Sequence, residues 1–294
     1  MPLAIHPRRS VLYMPGSNTR ALEKAKSLPA DTVIFDLEDA VAPDMKETAR
    51  EQVRSAVQFG GYDKTEVVIR MNGLETDWGE EDLFAAIAAR PNAILVPKVN
   101  RADDVRRIAA AFSASDLEDV AIWAMMETPL AMLNAGEIAA ASQDADIPLA
   151  AFVLGTNDLA KETGARLAPG REVLLPWLMT CVAAARAHGL AVIDGVFNDF
   201  NDETGLRMEC EQGRDCGMDG KTLIHPNQIA TANGVFAPSE DDVASARAII
   251  DAFALPENAD KGAITVNGRM AERLHLEMAE KTIAVAAAIA AAGR

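Results

Sequence analysis

The amino-acid sequence predicts a closed (β/α)₈ barrel, the TIM-barrel fold, followed by a C-terminal helical extension. Short apolar runs alternate with helical patterns along the chain, and such alternation is typical of parallel βα units. Eight units occupy roughly 230 residues, close to the ~250 residues that a closed barrel usually needs. The pattern changes after Pro238. We therefore predict a barrel catalytic domain over residues 1–237 and an extension over residues 238–294.

Each predicted strand is an apolar run bounded by turn residues, and each predicted helix is amphipathic or rich in alanine. The strands are predicted at Val11–Pro15, Thr32–Leu37, Val67–Met71, Ala93–Val96, Val120–Met126, Ala150–Leu154, Ala191–Phe197 and Thr222–Ile224. The intervening helices are predicted at Ser17–Ser27, Met45–Phe59, Glu80–Ala89, Ala102–Phe112, Leu130–Ala141, Glu172–His188, Glu203–Cys216 and Asn227–Gly234.

The extension begins with a helix signature. Ser239 can cap the helix, and the acids that follow it favour the positive end of the helix dipole. This helix is expected to run to about Ala254, and a short run, Ala263–Val266, then leads to an Asn-Gly turn. A final helix is predicted from Met270 to about Ala292. The extension is either a packing appendage or a lid or arm that reaches a neighbouring subunit.

Composition excludes several classes of partner. The formal net charge of −16 argues against nucleic acid and against an anionic membrane as the main partner. No apolar run approaches the ~18 residues of a membrane-spanning helix. The first ten residues have no apolar segment typical of a signal peptide. The three cysteines lack metal-ligand spacing and indicate reduced thiols, so we expect a cytoplasmic protein.

Two acids follow neighbouring apolar runs and suggest a metal site. Glu127 ends the run that starts at Ala121, and Asp158 ends the next run along the chain. The carboxyl ends of barrel strands meet at one rim, where the chemistry of such barrels is found. A buried carboxylate requires a partner, and Mg²⁺ binds one or two carboxylates together with water and substrate oxygens. We therefore predict a Mg²⁺ site at Glu127 and Asp158.

An arginine and three further acids are expected at the same rim. Arg70 can bind a substrate carboxylate through two parallel hydrogen bonds, although a salt bridge to a rim acid is an equally good explanation. Asp36, Glu38 and Asp39 exceed what a metal pair needs. One of them could act as a general base or support the metal ligands, and the sequence leaves open which one.

Two other polar residues end strands. Lys98 is the one residue that could support a Schiff base, which makes a Schiff-base aldolase a minor alternative. His225 precedes a proline and is accompanied by no nucleophile motif, so a structural role is favoured.

Several separated motifs together resemble the citrate lyase β-subunit-like branch of the HpcH/HpaI aldolase superfamily. Within that branch the chain looks most similar to malyl-CoA lyases and (3S)-malyl-CoA thioesterases. The motifs are Arg9-Ser10-Val11-Leu12-Tyr13-Met14-Pro15-Gly16-Ser17, Phe35-Asp36-Leu37-Glu38-Asp39-Ala40-Val41, Arg70-Met71-Asn72-Gly73, Val96-Pro97-Lys98-Val99, Met126-Glu127-Thr128-Pro129, Gly155-Thr156-Asn157-Asp158-Leu159 and Gly220-Lys221-Thr222-Leu223-Ile224-His225-Pro226.

The resemblance implies a TIM barrel, Mg²⁺, a CoA thioester substrate and a homotrimer or homohexamer. The family's metal ligands fall on Glu127 and Asp158, and its carboxylate-binding arginine falls on Arg70. Its basic CoA-contacting positions fall on or near Arg20 and Lys24. Further substrate contacts are expected at Gly155 and Asn157.

One departure from the family concerns the C-terminal lid. Family lyases carry a Met-Ile-Asp motif there, whose aspartate enters the adjacent subunit's site as an acid. The corresponding stretch here is Gly268-Arg269-Met270-Ala271-Glu272. Glu272 has the same charge but one additional methylene group, and proton transfer depends on geometry at the ångström scale. Glu272 is a candidate catalytic residue, and the sequence leaves open whether it replaces the lid aspartate.

The leading hypothesis is a Mg²⁺-dependent lyase that cleaves a short 3-hydroxyacyl-CoA with a distal carboxylate, of the malyl-CoA or citramalyl-CoA type. Its products would be a 2-oxoacid and an acyl-CoA. The same pocket could instead hold a water against the thioester carbonyl, which would make the protein a (3S)-malyl-CoA thioesterase that yields malate and CoA. A third alternative is a citrate lyase β-type subunit of a larger complex.

Overall fold

The computed structural model describes residues 6–117 and 119–293. Part of the N-terminal stretch for which no signal peptide is predicted, residues 1–5, therefore lies outside the described residues. The chain divides into two compact units, one of which extends from Arg8 to Asn233 and the other mainly from Gly234 onward. The domain boundary predicted at 237/238 stays a prediction.

The larger unit is a closed barrel of eight parallel strands, which confirms the predicted fold class. Each strand pairs with the next one along the chain, and the last pairs with the first. Every predicted strand is present, with bounds within a few residues of those expected. The strands are β1 Ser10–Pro15, β2 Thr32–Asp36, β3 Glu66–Arg70, β4 Ala93–Val96, β5 Ala121–Met126, β6 Leu149–Leu154, β7 Ala191–Asp194 and β8 Gly220–Leu223.

Alternate residues of the strands form one buried apolar cluster. Side chains alternate between the two faces of a strand, so every second residue points into a barrel. Trp123 and Met125 of β5 belong to this cluster, together with Val11 of β1 and Val153 of β6. Because apolar side chains fill the barrel interior, the polar residues of the candidate site lie at the strand ends.

The helices agree with the predicted segments except after β5 and β6. The segment predicted as Leu130–Ala141 is divided into two short helices at Asn134. A helix that the sequence pattern did not indicate, Thr156–Thr163, directly follows β6. The helices of this part of the chain are α1 Thr19–Ala25, α2 Lys46–Phe59, α3 Gly79–Ala89, α4 Ala102–Ser113, α5 Pro129–Leu133, α6 Ala135–Ala140, α7 Thr156–Thr163, α8 Leu175–Ala187, α9 Glu203–Asp215 and α10 Ile229–Phe236.

The C-terminal unit contains two helices and a hairpin. Helix α11 spans Glu240–Ala254, and strands β9 (Ala263–Val266) and β10 (Arg269–Glu272) form an antiparallel pair before helix α12, Arg273–Ala292. Phe253, Ile264 and Ala271 form its small apolar core. The Ser239 hydroxyl accepts a hydrogen bond from the backbone N–H of Asp242 at 3.1 Å, as the predicted cap requires.

The predicted start of the last helix at Met270 is wrong, because Met270 lies in β10. Asn267 and Gly268 both have positive φ, +50° and +76°. An Asn-Gly pair with this geometry is the preferred two-residue connection of a β-hairpin, so the chain reverses into a second strand before it becomes helical. Among the described residues, no helix is both long and apolar enough to cross a membrane.

Candidate active site

A cavity of about 290 Å³ opens among the carboxyl ends of the barrel strands. Its wall contains six of the predicted site residues, which the fold brings together from four strand ends. They are Asp39, Arg70, Glu127, Gly155, Asn157 and Asp158. The residues that the sequence predicted to lie at one rim therefore line a common cavity.

Glu127 directly follows β5 and is 1% exposed. Its Oε1 accepts a hydrogen bond from the backbone N–H of Lys98 at 2.8 Å. Its other oxygen lies beside Gly155, where an added Cβ would come within 2.5 Å of Oε2. Gly155, which was predicted to bind substrate, therefore provides the space that the Glu127 side chain occupies. A substrate contact of Gly155 stays a prediction.

Asp158 lies within the first turn of α7, three positions after Gly155, and not at a strand end as the apolar run suggested. It is half-buried and lines the same cavity. A carboxylate in the first turn of a helix is stabilised by the helix dipole. This helix is eight residues long and has only Leu159 and Ala160 as buried apolar residues, so its periodic signal in the sequence is weak.

The residues present fit a Mg²⁺ ion. Burial raises the pKa of Glu127 to about 7, the Lys98 N–H opposes this rise, and the negative charge of Asp158 adds to it. A divalent cation between the two carboxylates would offset the effect of the Asp158 charge on Glu127. Within the described ranges no cluster of three or more His, Cys, Asp or Glu could enclose a metal. Two carboxylates with water and substrate oxygens are the set that Mg²⁺ usually takes.

Arg70 ends β3 and is paired in register with Asp36, the last residue of β2. Its Nε and Nη2 donate to the two Asp36 carboxylate oxygens at 2.7 and 2.6 Å. The salt bridge to a rim acid, which the sequence left as an alternative, is therefore present. The edge of the guanidinium formed by Nε and Nη2 is occupied by Asp36, and the binding of a substrate carboxylate by Arg70 stays a prediction. The other nitrogen, Nη1, faces the rim.

Asp36 is excluded as the general base by its partners. Besides Arg70, its carboxylate accepts hydrogen bonds from the backbone N–H groups of Glu38 and Ala40. Burial alone would raise the pKa of Asp36, but Arg70 and these hydrogen bonds hold it below its usual value. A carboxylate so occupied is a poor proton acceptor.

Glu38 and Asp39 remain as candidate bases. Glu38 Oε2 lies 2.9 Å from Arg70 Nη1 and has no hydrogen-bond partner among the described residues. Burial raises the pKa of Glu38 to about 8, against the opposing charge of Arg70 and with the help of the acids around it. Asp39 accepts a hydrogen bond from Arg70 Nη1 at 3.1 Å and is exposed. A raised pKa near neutrality favours Glu38 for proton transfer.

The Glu38 carboxyl should make the protein less stable as the pH rises. The folded protein retains a proton on Glu38 that the unfolded chain releases. The stabilisation due to this protonated carboxyl is therefore lost as the pH rises from about 4.5 to about 8. We expect Glu38→Gln to be unfolded at a higher urea concentration than the wild type at pH 9, with the difference vanishing towards pH 4. Glu47→Gln, on the exposed side of α2, is the matched control. A pH-independent difference for Glu38→Gln would contradict this expectation.

Tyr13 is a site residue that sequence reasoning missed. It lies in β1 and lines the cavity, and the Arg70 guanidinium lies 4.7 Å from the centroid of its ring. Burial raises the pKa of Tyr13, so its hydroxyl stays protonated and can donate a hydrogen bond. The sequence did contain a signal for Tyr13, because it lies two residues after Val11 in β1 and alternate residues of a strand face the same side.

The structure disfavours the Schiff-base alternative. Burial lowers the pKa of the Lys98 ammonium, but Glu38, Asp158 and other nearby acids outweigh this effect and leave the pKa raised. A protonated lysine is not a nucleophile. His225 has the structural role expected of it, because its Nδ1 accepts a hydrogen bond from the backbone N–H of Asn227 at 3.2 Å.

Four predicted site residues do not line the cavity: Glu38, which lies beside Arg70, and Arg20, Lys24 and Glu272. Arg20 and Lys24 lie one turn apart on α1, exposed and without an ion pair among the described residues. Glu272 belongs to the C-terminal unit, at the end of β10, where its backbone N–H donates to His275 Nδ1 at 3.0 Å. Their roles stay predictions. Asn157, in contrast, lines the cavity and exchanges amide hydrogen bonds of 3.1 and 2.9 Å with Asn198.

A second buried ionic cluster occupies the end of β7. Asp194, the last residue of β7, binds Arg171 through two hydrogen bonds of 2.6 and 2.8 Å and Lys221 at 3.1 Å. Lys221 also donates to Glu209 at 2.6 Å. Both oxygens of the Asp194 carboxylate therefore bind cationic side chains, which connect β7 to β8 and to the loop before α8. A structural role explains all of its contacts.

The barrel and its cavity define a class of enzyme that works at the carboxyl ends of its strands, with an acidic site suited to a divalent cation. The family model "HpcH/HpaI aldolase/citrate lyase" matches residues 9–226. The chain therefore belongs to the HpcH/HpaI aldolase/citrate lyase family and is an enzyme of that family. The resemblance identified from the sequence motifs is confirmed.

Similar proteins include both hydrolases and lyase subunits. A (3S)-malyl-CoA thioesterase of Cereibacter sphaeroides is 50% identical over 286 residues, which cover 97% of each chain. The citrate lyase subunit beta of Escherichia coli is 33% identical over 271 residues, 90% of this chain and 88% of that one. Protein CitE from Mycobacterium tuberculosis, solved in complex with magnesium, acetoacetate and coenzyme A, is 29% identical with a TM-score of 0.75, covering 95% of this chain and 97% of that chain.

Proposed function

We propose that this protein is a Mg²⁺-dependent enzyme acting on a short 3-hydroxyacyl-CoA thioester with a distal carboxylate, of the malyl-CoA type. The observation that carries the proposal is one cavity lined by Glu127, Asp158 and Arg70, with Glu38 adjoining Arg70. The thioesterase that is 50% identical over nearly the whole chain supports the substrate class. A CitE structure that contains both magnesium and coenzyme A supports the cofactor.

Each group at the site has a distinct task in this proposal. Glu127 and Asp158 would hold Mg²⁺, which supplies a Lewis acid for the substrate oxygens. Arg70, held against Asp36, would present Nη1 to the distal carboxylate as a charge-assisted donor, in place of its hydrogen bond to the exposed Asp39. The Tyr13 hydroxyl can donate a further hydrogen bond to a substrate oxygen. Glu38 would accept a proton, because its pKa of about 8 is close to neutrality.

Hydrolysis to malate and CoA is the outcome that the thioesterase relatives favour. Glu38 would then take the proton of a water that attacks the thioester carbonyl. Carbon–carbon cleavage is the second candidate, because citrate lyase β subunits share the fold and the family. In that reaction Glu38 would take the proton of the 3-hydroxyl group. Both reactions use the same residues up to the first proton transfer.

The test is to incubate the purified protein with malyl-CoA and Mg²⁺ and to measure free thiol and glyoxylate in parallel. Thiol release without glyoxylate is the expected result, and EDTA should abolish it. Stoichiometric glyoxylate would show that the protein is a lyase. Turnover of neither kind, with Mg²⁺ present and the protein folded, would contradict the proposal.

The assembly belongs to the same proposal. We expect a homotrimer or homohexamer in which the C-terminal unit of one chain completes the site of a neighbour. Light scattering of the purified protein measures this, and a monomer would contradict it.

Arg70→Lys should weaken the binding of substrates that have a distal carboxylate and have little effect on substrates that lack one. Lysine keeps the charge but cannot hold Asp36 with two parallel hydrogen bonds while facing the cavity. We expect KM for malyl-CoA to rise by about 10- to 100-fold, the value of a hydrogen bond to a charged group, and KM for an acyl-CoA without a carboxylate to change little. Arg50→Lys is the matched control, since Arg50 pairs with Asp82 between α2 and α3. Equal losses on both substrates would make Arg70 purely structural.

A further inference from the structure

Lys98 has a backbone conformation that a side chain rarely adopts. It lies in the loop between β4 and α4 with φ of +50°, in the left-handed region. Such a conformation is unfavourable for a residue other than glycine and persists only where its surroundings hold it. Here it turns the backbone N–H of Lys98 towards Glu127 Oε1, at 2.8 Å.

Asn100 is the residue that holds this conformation. Its side-chain Nδ2 donates to the carbonyl of Lys98 at 2.9 Å. Its Oδ1 accepts a hydrogen bond from the hydroxyl of Thr128, the residue immediately after Glu127. One amide side chain thus binds both the residue that donates to Glu127 and the residue that follows Glu127.

The backbone N–H and carbonyl of Asn100 are both hydrogen-bonded to side chains. Its N–H donates to Asp104 Oδ2 at 2.7 Å, within the cap of α4. Its carbonyl accepts from Asn134 Nδ2 at 2.8 Å. The Thr128 hydroxyl in turn accepts from the N–H of Ala131 at the start of α5 at 3.0 Å. The amide therefore connects the starts of two helices to the carboxylate between them.

We propose that Asn100 is a positioning residue for the metal site, which acts through the Lys98 N–H to orient the Glu127 carboxylate. This inference rests on the proposed function, which assigns Glu127 to Mg²⁺. Groups that orient a metal ligand through hydrogen bonds usually change metal affinity by about 10- to 100-fold when they are lost. Asn100 contacts no cavity-lining carboxylate itself, so its effect must pass through Lys98 and Thr128.

The test measures Mg²⁺ binding by calorimetry on the full chain without substrate. Asn100→Ala should weaken the Mg²⁺ Kd by about 10- to 100-fold. Asn100→Asp keeps an acceptor for Thr128 but loses the donor to the Lys98 carbonyl, so an intermediate Kd is expected, and this variant replaces Asn100→Ala if the latter does not fold. Lys98→Gly keeps the N–H and favours positive φ, so it should bind Mg²⁺ at least as tightly as the wild type.

Asn92→Ala is the matched control. Asn92 precedes β4 at its other end, and its Oδ1 accepts from the N–H of Val67 at 2.8 Å. Its loss should lower the melting temperature without changing the Mg²⁺ Kd. If Asn92→Ala and Asn100→Ala weaken Mg²⁺ equally, or if Asn100→Ala binds Mg²⁺ as the wild type does, the positioning role is overturned.

Glu127→Gln separates this inference from the proposed function. If Glu127→Gln loses Mg²⁺ binding while Asn100→Ala keeps it, only the positioning role fails. If Glu127→Gln binds Mg²⁺ normally, the metal assignment in the proposed function fails, and the positioning role fails with it.

Discussion

Glu127→Gln is expected to abolish Mg²⁺-dependent turnover while the protein remains folded. The substitution keeps the shape of the side chain and its acceptor for the Lys98 N–H but removes the charge that would bind the cation. A bound metal contributes several kcal/mol to a developing charge, so the loss in kcat should be on the order of 10³-fold or more. The measurement is turnover of malyl-CoA with Mg²⁺ titrated from zero to saturation.

The same substitution, Glu127→Gln, should lower turnover but raise the thermal stability of the metal-free protein. Burial gives the Glu127 carboxyl a pKa of about 7, so the ionised form destabilises the metal-free protein above that pH. The metal-free Glu127→Gln variant should therefore melt at a higher temperature than the wild type at pH 8, and Mg²⁺ should stabilise only the wild type. Glu66→Gln, at the other end of the barrel where Glu66 pairs with Arg8, is the matched control. Turnover that persists in EDTA with Glu127→Gln and Asp158→Asn combined would refute the metal site.

The second large effect is expected from Glu272→Gln. General acid–base groups typically contribute ~10²–10⁴-fold in rate, so turnover should fall at least about tenfold if Glu272 transfers a proton in a neighbouring subunit's site. As a charge near the start of α12 it would contribute only about 0.3–1 kcal/mol to the helix and nothing to the rate. The melting temperature should therefore change little. Glu280→Gln, exposed further along α12, is the matched control.

Mixing experiments locate the acid in the assembly. Glu272→Gln and Arg70→Ala subunits are each expected to be nearly inactive, and a mixture should regain activity through sites formed from two chains. We also expect Glu272→Asp, which shortens the side chain by one methylene, to raise glyoxylate release relative to free CoA. A kinetically silent Glu272→Gln would show that the extension carries no acid for the reaction.

Local patterns in the sequence were sufficient to predict the barrel. Strand segments such as Ala121–Met126 and Ala93–Val96 are continuous apolar runs between turn residues, and the alternation with helices allows few other arrangements. The closure of the barrel then brings Glu127 and Arg70 to one rim, because parallel strands all end on the same side. These properties depend on neighbouring residues along the chain and can be recognised without the fold.

Only the tertiary structure decided which partner each charged group takes. Asp36 and Arg70 are paired because the register of β2 and β3 places them side by side, and it is Glu38, not Asp36, that has a raised pKa. Burial and the distances between charges set a pKa, and neither can be read from residue spacing. The left-handed Lys98, held by Asn100 across two loops, depends in the same way on contacts between segments that are distant in the sequence. Such contacts form only when the barrel closes, and for that physical reason the sequence alone could name the acids at the rim but could not assign their roles.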